Sequence, residues 1–552
     1  MEIEKNDVIE CIIDDMGAFG EGITHIGGLT VFIPGALIGE KVSARVVLAK
    51  PSLAHAVLVK IISPSPYRVE PPCPYFRQCG GCSLQHLHYD AQLRLKQSIV
   101  ANSLRKYAGI EFDVDGTVPS PDIFGYRNKL SLPVRYEKKR GTVCGLFAKK
   151  SHRIVEVENC LLQRAPTFDT AKKAFDFARS FGLEGYDEES GKGDIRHIIV
   201  RSLEDEISLT YVLNGEKRAF ERALELKLAE LKPKDLSVHI NRNTAKNNVI
   251  LGNETRLVYG RAEARLGDMA VETHPQAFFQ VNGRVREKLY GAALAEVAGC
   301  KNVVDAYSGA GIMSALFARK AKRVVGIEIS EAAVEVAKRL AKREGLENLS
   351  FVLGDCAEKI GDVLRNSDGK ETAVVLDPPK SGCAEKVIES LVASLPEKIV
   401  YISCNPATLA RDLNALLKGG FELVSVTPYD MFPQTTSIET LVVLSKKIPD
   451  SHINIDVEFG EGEGQFSLSK IKERAEERKP KEKVTYKMIQ DYIEKTYGFK
   501  VHTAYIAEVK RDLGLPMYDA PNSVEELKRP RAHPTPRMVE AIKETLKHFE
   551  II

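Results

Sequence analysis

Between residues 266 and 448, short apolar runs alternate with stretches of helical periodicity, and no other feature of the chain restricts its fold as much. The runs are Val303-Val304, Val324-Val325-Gly326-Ile327, Ala373-Val374-Val375-Leu376 and Ile399-Val400-Tyr401-Ile402. Strands separated by helices pair through crossovers, so a mostly parallel, doubly wound α/β sheet is expected. Ligands of such sheets lie outside the carboxyl ends of the strands, which is where chemistry should be sought.

Those strand ends are punctuated by polar residues. Asn302 to Ala306 runs into Tyr307-Ser308-Gly309-Ala310-Gly311, whose glycines let backbone approach a ligand. Glu328 ends the next strand, where a carboxylate can accept hydrogen bonds from ribose hydroxyls. Gly354-Asp355 follows the third strand and Asp377-Pro378-Pro379 the fourth. The first two stations also fit a dinucleotide enzyme, but Ser314 stands where that fingerprint takes its third glycine. Acidic and acid-proline strand ends in series are typical of methyl-donor folds.

Ser403-Cys404-Asn405-Pro406 directly follows the strand at Ile399, which puts Cys404 at the mouth of the same crevice. A thiolate there suits one kind of reaction. Carbon 5 of uracil is too weakly nucleophilic to take a methyl group unaided, but a thiolate added at carbon 6 makes carbon 5 able to attack. The carbon 5 proton must then leave to a base. Glu439, at the start of Leu441-Val442-Val443-Leu444, is the candidate. Cys383 lies near the acid-proline-proline station but reads as incidental. Lys380 replaces the aromatic residue with which amino-nitrogen methylases grip a flipped base, which disfavours that reaction.

At 552 residues the chain needs more than one core. Residues 1–65 read as a small β-barrel, from runs at Val8–Ile13, Leu29–Ile33, Lys41–Val47 and His55–Ile62 separated by glycine turns. Barrels of this size often hold RNA. Residues 66–265 read as a mixed α/β domain with a helix near 90–108. Residues 449–484 read as a linker, and 485–552 as a mainly helical extension carrying the basic run Lys528-Arg529-Pro530-Arg531, best read as a solvated face. The net charge is only +2, so affinity for nucleic acid must come from local patches. Tyr126-Arg127-Asn128-Lys129, Arg135, Lys138, Lys139, Arg140, Arg196 and Arg201 are candidate RNA contacts. No apolar stretch is long enough to span a bilayer, and the charged start lacks the apolar core of a secretory signal. A cytoplasmic location is expected, with the ten cysteines reduced and used for metal binding or catalysis.

Cys73, Cys79 and Cys82 fall within one loop whose paired glycines permit a tight wrap. A fourth ligand must come from elsewhere; Cys160 is the best candidate, with Cys144 and Cys11 as rivals. Four thiolates suit zinc or an iron–sulfur cluster, and spacing does not choose between them.

With these motifs in hand, residues 1–447 resemble the RNA uridine-C5 methyltransferases, above all the cluster-containing branch that modifies 23S ribosomal RNA. The resemblance implies an N-terminal OB-like TRAM domain, a central RNA-binding domain and a Rossmann-like class I methyltransferase domain. It implies a [4Fe-4S] cluster on Cys73, Cys79, Cys82 and Cys160, and S-adenosyl-L-methionine contacts from Gln280, Tyr307, Glu328 and Asp377. It also implies Cys404 as nucleophile and Glu439 as base, acting on a flipped-out uridine. Two positions depart from the pattern: Ile312 replaces a polar residue that touches the donor, and Ser437 a frequent histidine near the base. Transfer RNA is the alternative substrate. An RNA-binding or folding factor without catalysis is the alternative class, as is an NAD-linked iron–sulfur oxidoreductase.

Overall fold

The computed structural model describes residues 3–204, 206–367, 371–447, 486–513 and 533–549. The chain divides into two compact units, 1–447 and 448–552. No helix among the described residues is long and apolar enough to cross a membrane.

The first unit opens with a six-stranded sheet, ordered Val8–Ile12, Lys41–Ala49, Leu53–Ser63, Leu29–Pro34, Glu21–Ile26 and Asp15–Met16. Alternate residues face one small core that includes Val31, Ile33, Val42, Ala44, Val46 and Ala54. The strands Asp15–Met16 and Glu21–Ile26, on either side of the glycine-rich turn that begins at Gly17, were not among the expected runs. Ladders to their neighbours override the weak local signal.

A second six-stranded sheet follows, ordered Glu254–Tyr259, Leu236–Arg242, Glu206–Leu213, Ile195–Leu203, Lys129–Glu137 and Gly141–Cys144. The helices Ala165–Ser180 and Arg218–Leu231 share its core through Phe168, Phe175, Phe220 and Leu224.

The last sheet of this unit has seven strands, ordered Leu349–Leu353, Arg323–Glu328, Asn302–Ala306, Thr372–Leu376, Lys398–Ser403, Glu439–Lys446 and Phe421–Tyr429. The first five are parallel; Glu439–Lys446 runs against them, and Phe421–Tyr429 pairs antiparallel with it and so returns to their direction. Chain order runs outward from Asn302–Ala306 on one side and then restarts on its other side, so a crevice opens at the carboxyl ends of the central strands. Because Glu439–Lys446 runs backwards, its first residues meet the end of Lys398–Ser403, with Ser403 opposite Thr440. Tyr89–Ala108, expected with the central region, packs Val100 and Leu104 into the core of this sheet beside Leu409 and Leu413.

In the second unit, Tyr486–Tyr497, Thr503–Asp512 and Pro536–His548 are helices around a core that includes Ile489, Ile493, Ile506, Val509, Ile542 and Leu546. The expected linker at 449–484 and the basic run at 528–531 lie outside the described residues.

Candidate active site

Cys404 occupies the junction between the strand Lys398–Ser403 and the helix Pro406–Lys418. The Asn-Pro pair makes this turn: Asn405 caps the helix by accepting from the Ala407 N–H at 3.2 Å, and Pro406 supplies a preset φ at the first helical position. Asn405 Nδ2 also donates to the Lys380 carbonyl at 2.9 Å, and Thr408 Oγ1 donates to it at 3.2 Å. The loop after Asp377 is thus stitched to the Cys404 turn. The two motifs noticed separately in sequence form one rim.

Charges at this rim act on one another. Burial pushes the Cys404 thiol up to about 11; Glu439 and Asp377 add to the rise and Lys380 opposes it. Glu439 is 4% exposed, and burial with help from Asp377 lifts its carboxyl well above the usual range, again against Lys380. Burial pushes Asp377 up to about 7. Among the described residues no hydrogen bond reaches the carboxylates of Asp377 or Glu439. Tyr290, on the helix Gly283–Val297, was missed in sequence. Burial raises its phenol, with Asp377 the largest charge acting on it and Arg286, Asp305 and Glu439 contributing. A lone tyrosine inside a helical pattern gives no sign of such surroundings.

The donor side of the crevice is built from backbone and acid. Glu328 accepts from the Gly309 N–H at 3.0 Å and from the Ser330 N–H at 2.8 Å, which fixes its carboxylate at the strand end. Tyr307 holds a left-handed φ of 68°, costly for a residue with a side chain and a common mark of a functional turn. Gly311, at φ 76°, has no room for a Cβ, which would sit 2.8 Å from Ala337 and Phe351. Asp305 is wholly buried and accepts from Ser314 Oγ, but its Oδ1 has no partner; burial raises it to about 7. Ser314 therefore serves the acid one turn away, a role beyond its use as a missing glycine. Cys383 is buried in the same core as Tyr307 and Tyr401. Gln280 is buried, and its carbonyl accepts from Asn128 Nδ2 at 3.1 Å. Ile312 packs against the apolar core. The carboxylate set, the tight glycine turn and the orphaned Asp305 oxygen fit a polar, cationic nucleoside at this edge.

Cys73, Cys79, Cys82 and Cys160 line one cavity with Tyr75, Phe76, Gln85, Leu146 and Leu162. Cys144 instead packs with the central core, and Cys11 in the first sheet near Thr24. Burial pushes Cys82 up to about 12, with Cys160, Cys79 and Cys73 adding to the shift. Among the described residues no three His, Cys, Asp or Glu side chains converge closely enough to hold one metal ion.

Several expected RNA contacts are engaged within the protein. Arg135 is buried and bonds the Val134 and Arg196 carbonyls and Glu188. Arg196 donates to the carbonyls of Asn243 and Ala245 at 3.0 and 2.6 Å, and Arg201 to that of Ala277 at 2.7 Å. Tyr126 donates to the Pro433 carbonyl at 3.0 Å, and Asn128 is buried beside Gln280. Arg140 is tied to Glu137 and Glu156. Lys138 and Lys139 are exposed. Arginine on a strand reads the same in sequence whether its face is covered or open, so this distinction was not legible there.

The family model for tRNA (Uracil-5-)-methyltransferase matches residues 195–447. An uncharacterized RNA methyltransferase of Halalkalibacterium halodurans is 38% identical over 452 residues, spanning 81% of this chain and 98% of that protein. One from Clostridium tetani is 36% identical over 449 residues, spanning 80% of this chain and 97% of that protein. Among solved structures, the tRNA (uracil-54, C5)-methyltransferase of Pyrococcus abyssi, in complex with S-adenosyl-L-homocysteine, is 25% identical with a TM-score of 0.62, covering 79% of this chain and all of that one. The chain is an RNA methyltransferase and belongs to the S-adenosylmethionine-dependent RNA (uracil-5-)-methyltransferase family.

Proposed function

We propose that this enzyme makes 5-methyluridine in 23S ribosomal RNA, with Cys404 as nucleophile and Glu439 as base. The observation that carries this reading is the meeting of Cys404 and Glu439, from strands of opposite direction, at one crevice mouth. Cys404 adds through sulfur to carbon 6 of the uracil, which leaves carbon 5 electron-rich. Carbon 5 then takes the methyl group from the positively charged sulfur of the donor, whose methyl–sulfur bond breaks to leave a neutral thioether; until then that charge favours the ionised forms of nearby thiol and carboxyl groups. Gln280, Tyr307, Glu328 and Asp377 would hold the donor. Glu439 then takes the carbon 5 proton, the ring double bond reforms, and sulfur leaves carbon 6. Lys380 favours the charged forms of both Cys404 and Glu439. A uridine stacked in a stem cannot offer carbon 6 to a thiol, so the target is flipped or looped out.

Cys73, Cys79, Cys82 and Cys160 would hold a [4Fe-4S] cluster, and the N-terminal sheet would act as a TRAM domain on RNA. The cytoplasm is the expected compartment for this work. Transfer RNA is the second reading, favoured by the substrate of the Pyrococcus abyssi enzyme. The test is incubation with labelled donor and 5-fluorouridine transcripts of 23S ribosomal and transfer RNA. Fluorine cannot leave as a proton does, so the intact enzyme should stall as a covalent adduct on its true substrate. Absence of an adduct on either RNA, or an adduct with Cys404→Ala, defeats the reading.

A further inference from the structure

Glu439 opens its strand directly after the loop 430–438, and that loop is held by a helix far away in sequence. Lys96, on Tyr89–Ala108, is wholly buried. Its ammonium donates to the buried Asp430 carboxylate, to the Phe432 carbonyl at 3.0 Å and to the Ser437 carbonyl at 2.9 Å. Tyr89 donates to the other oxygen of Asp430 at 2.7 Å, and its hydroxyl accepts from the Ser120 N–H at 2.9 Å. Gln92 exchanges two hydrogen bonds with Gln434, each 3.0 Å. The Ser83 and Leu84 N–H groups both donate to the Gln434 carbonyl at 3.0 Å. Gln434 itself sits at a left-handed φ of 68°, so the bonds around it impose a turn that the residue would not choose alone.

An apolar pair of similar volume could fill the place of Lys96 and Asp430 at little or no loss of stability. It could not donate to carbonyls at both ends of the segment that leads into Glu439. We propose that Lys96, oriented by Asp430 and Tyr89, is a positioning residue that aims the Glu439 carboxylate at the carbon 5 proton. This rests on the reading of Glu439 as base. The step it serves breaks the C5–H bond: the proton goes to Glu439, the electron pair forms the C5–C6 double bond, and the C6–S bond breaks to return the Cys404 thiolate.

The test uses full-length protein and transcripts of 23S ribosomal and transfer RNA made with 5-tritiated uridine. Tritium released to water reads proton abstraction, and adduct on a denaturing gel reads thiol addition. The double variant Lys96→Met with Asp430→Leu leaves no lone buried charge. It should release tritium about a hundredfold more slowly, the scale expected of a group displaced by about 1 Å. Methylated adduct should accumulate, as is expected of Glu439→Gln, while the Kd for RNA stays unchanged. Wild-type release from the double variant overturns the proposal, as does loss of adduct formation on 5-fluorouridine RNA, since a general collapse of the site would do that. If Glu439→Gln itself releases tritium normally, the base assignment fails and takes the positioning role with it. Should the double variant lose its cooperative thermal transition, Tyr89→Phe removes one hydroxyl from the same chain. Several-fold slower release with unchanged RNA binding supports the role, and unchanged release overturns it.

Discussion

The central sheet and the seven-stranded sheet both bury charged side chains, but they treat them differently. Arg135, Arg196 and Arg201 lie inside the central region with backbone carbonyls along their guanidinium groups, although the Nε atoms of Arg135 and Arg196 stay unpaired. At the crevice, Asp305 keeps one oxygen without a partner, and Asp377 and Glu439 are raised by burial with only Lys380 near Glu439 to oppose it. A buried charge with its bonds satisfied ties segments together. A buried charge lacking them is costly in the resting protein and remains available to a ligand or a proton.

The largest effects should fall at the crevice. Cys404→Ala is expected to abolish methyl transfer and adduct formation with the fold intact, checked by labelled-donor turnover and circular dichroism. Glu439→Gln should lower turnover by about 10²–10⁴-fold, the usual contribution of a positioned base, and should leave methylated adduct on the gel. If either variant instead melts early with normal activity per folded molecule, the two regions are not as different as described.

Arg196→Met addresses the other side of the comparison. It orphans the carbonyls of Asn243 and Ala245 and removes a cation stacked 4.3 Å from the Tyr186 ring. A loss of about 2–4 kcal/mol in unfolding free energy is expected, with kcat unchanged below the transition. Denaturant titration beside steady-state kinetics separates the two quantities.

Lys380→Met should act through protonation. Cys404 is already pushed up to about 11, so its thiolate fraction rises with pH across the neutral range. Removing the cation raises the thiol further, and the alkaline rise in adduct formation should move to higher pH. A shift of about one unit makes the rate at neutral pH about tenfold slower. The pH profile of 5-fluorouridine adduct formation reads this directly, and a shift to lower pH would contradict the charge arrangement. The smallest effect is expected from Lys138→Ala and Lys139→Ala. If these exposed ammoniums meet phosphates, each loss should reduce the salt slope of RNA binding by about one and leave kcat unchanged.

The crevice residues were visible in sequence because their signals are local. A strand that ends in Asp377-Pro378-Pro379, or in Ser403-Cys404-Asn405-Pro406, announces its own termination, and the parallel order of strands places such ends on one edge. Tyr290, the service of Ser314 to Asp305, and the loop clamp at Lys96 carried no such mark. Their meaning lies in neighbours brought from other elements. Lys96 and Asp430 are 334 residues apart, and a lysine in an amphipathic helix normally reads as solvated.

Periodicity and turn residues in the chain alone were enough to expect a mostly parallel α/β sheet, and they set the thiol and the acids at strand ends, since both depend on neighbours a few residues away. Which arginines are covered, where the four cysteines gather, and what holds the approach to Glu439 were decided by tertiary packing. Burial and hydrogen-bond satisfaction depend on which distant segments close over a side chain, and no short stretch of sequence records that.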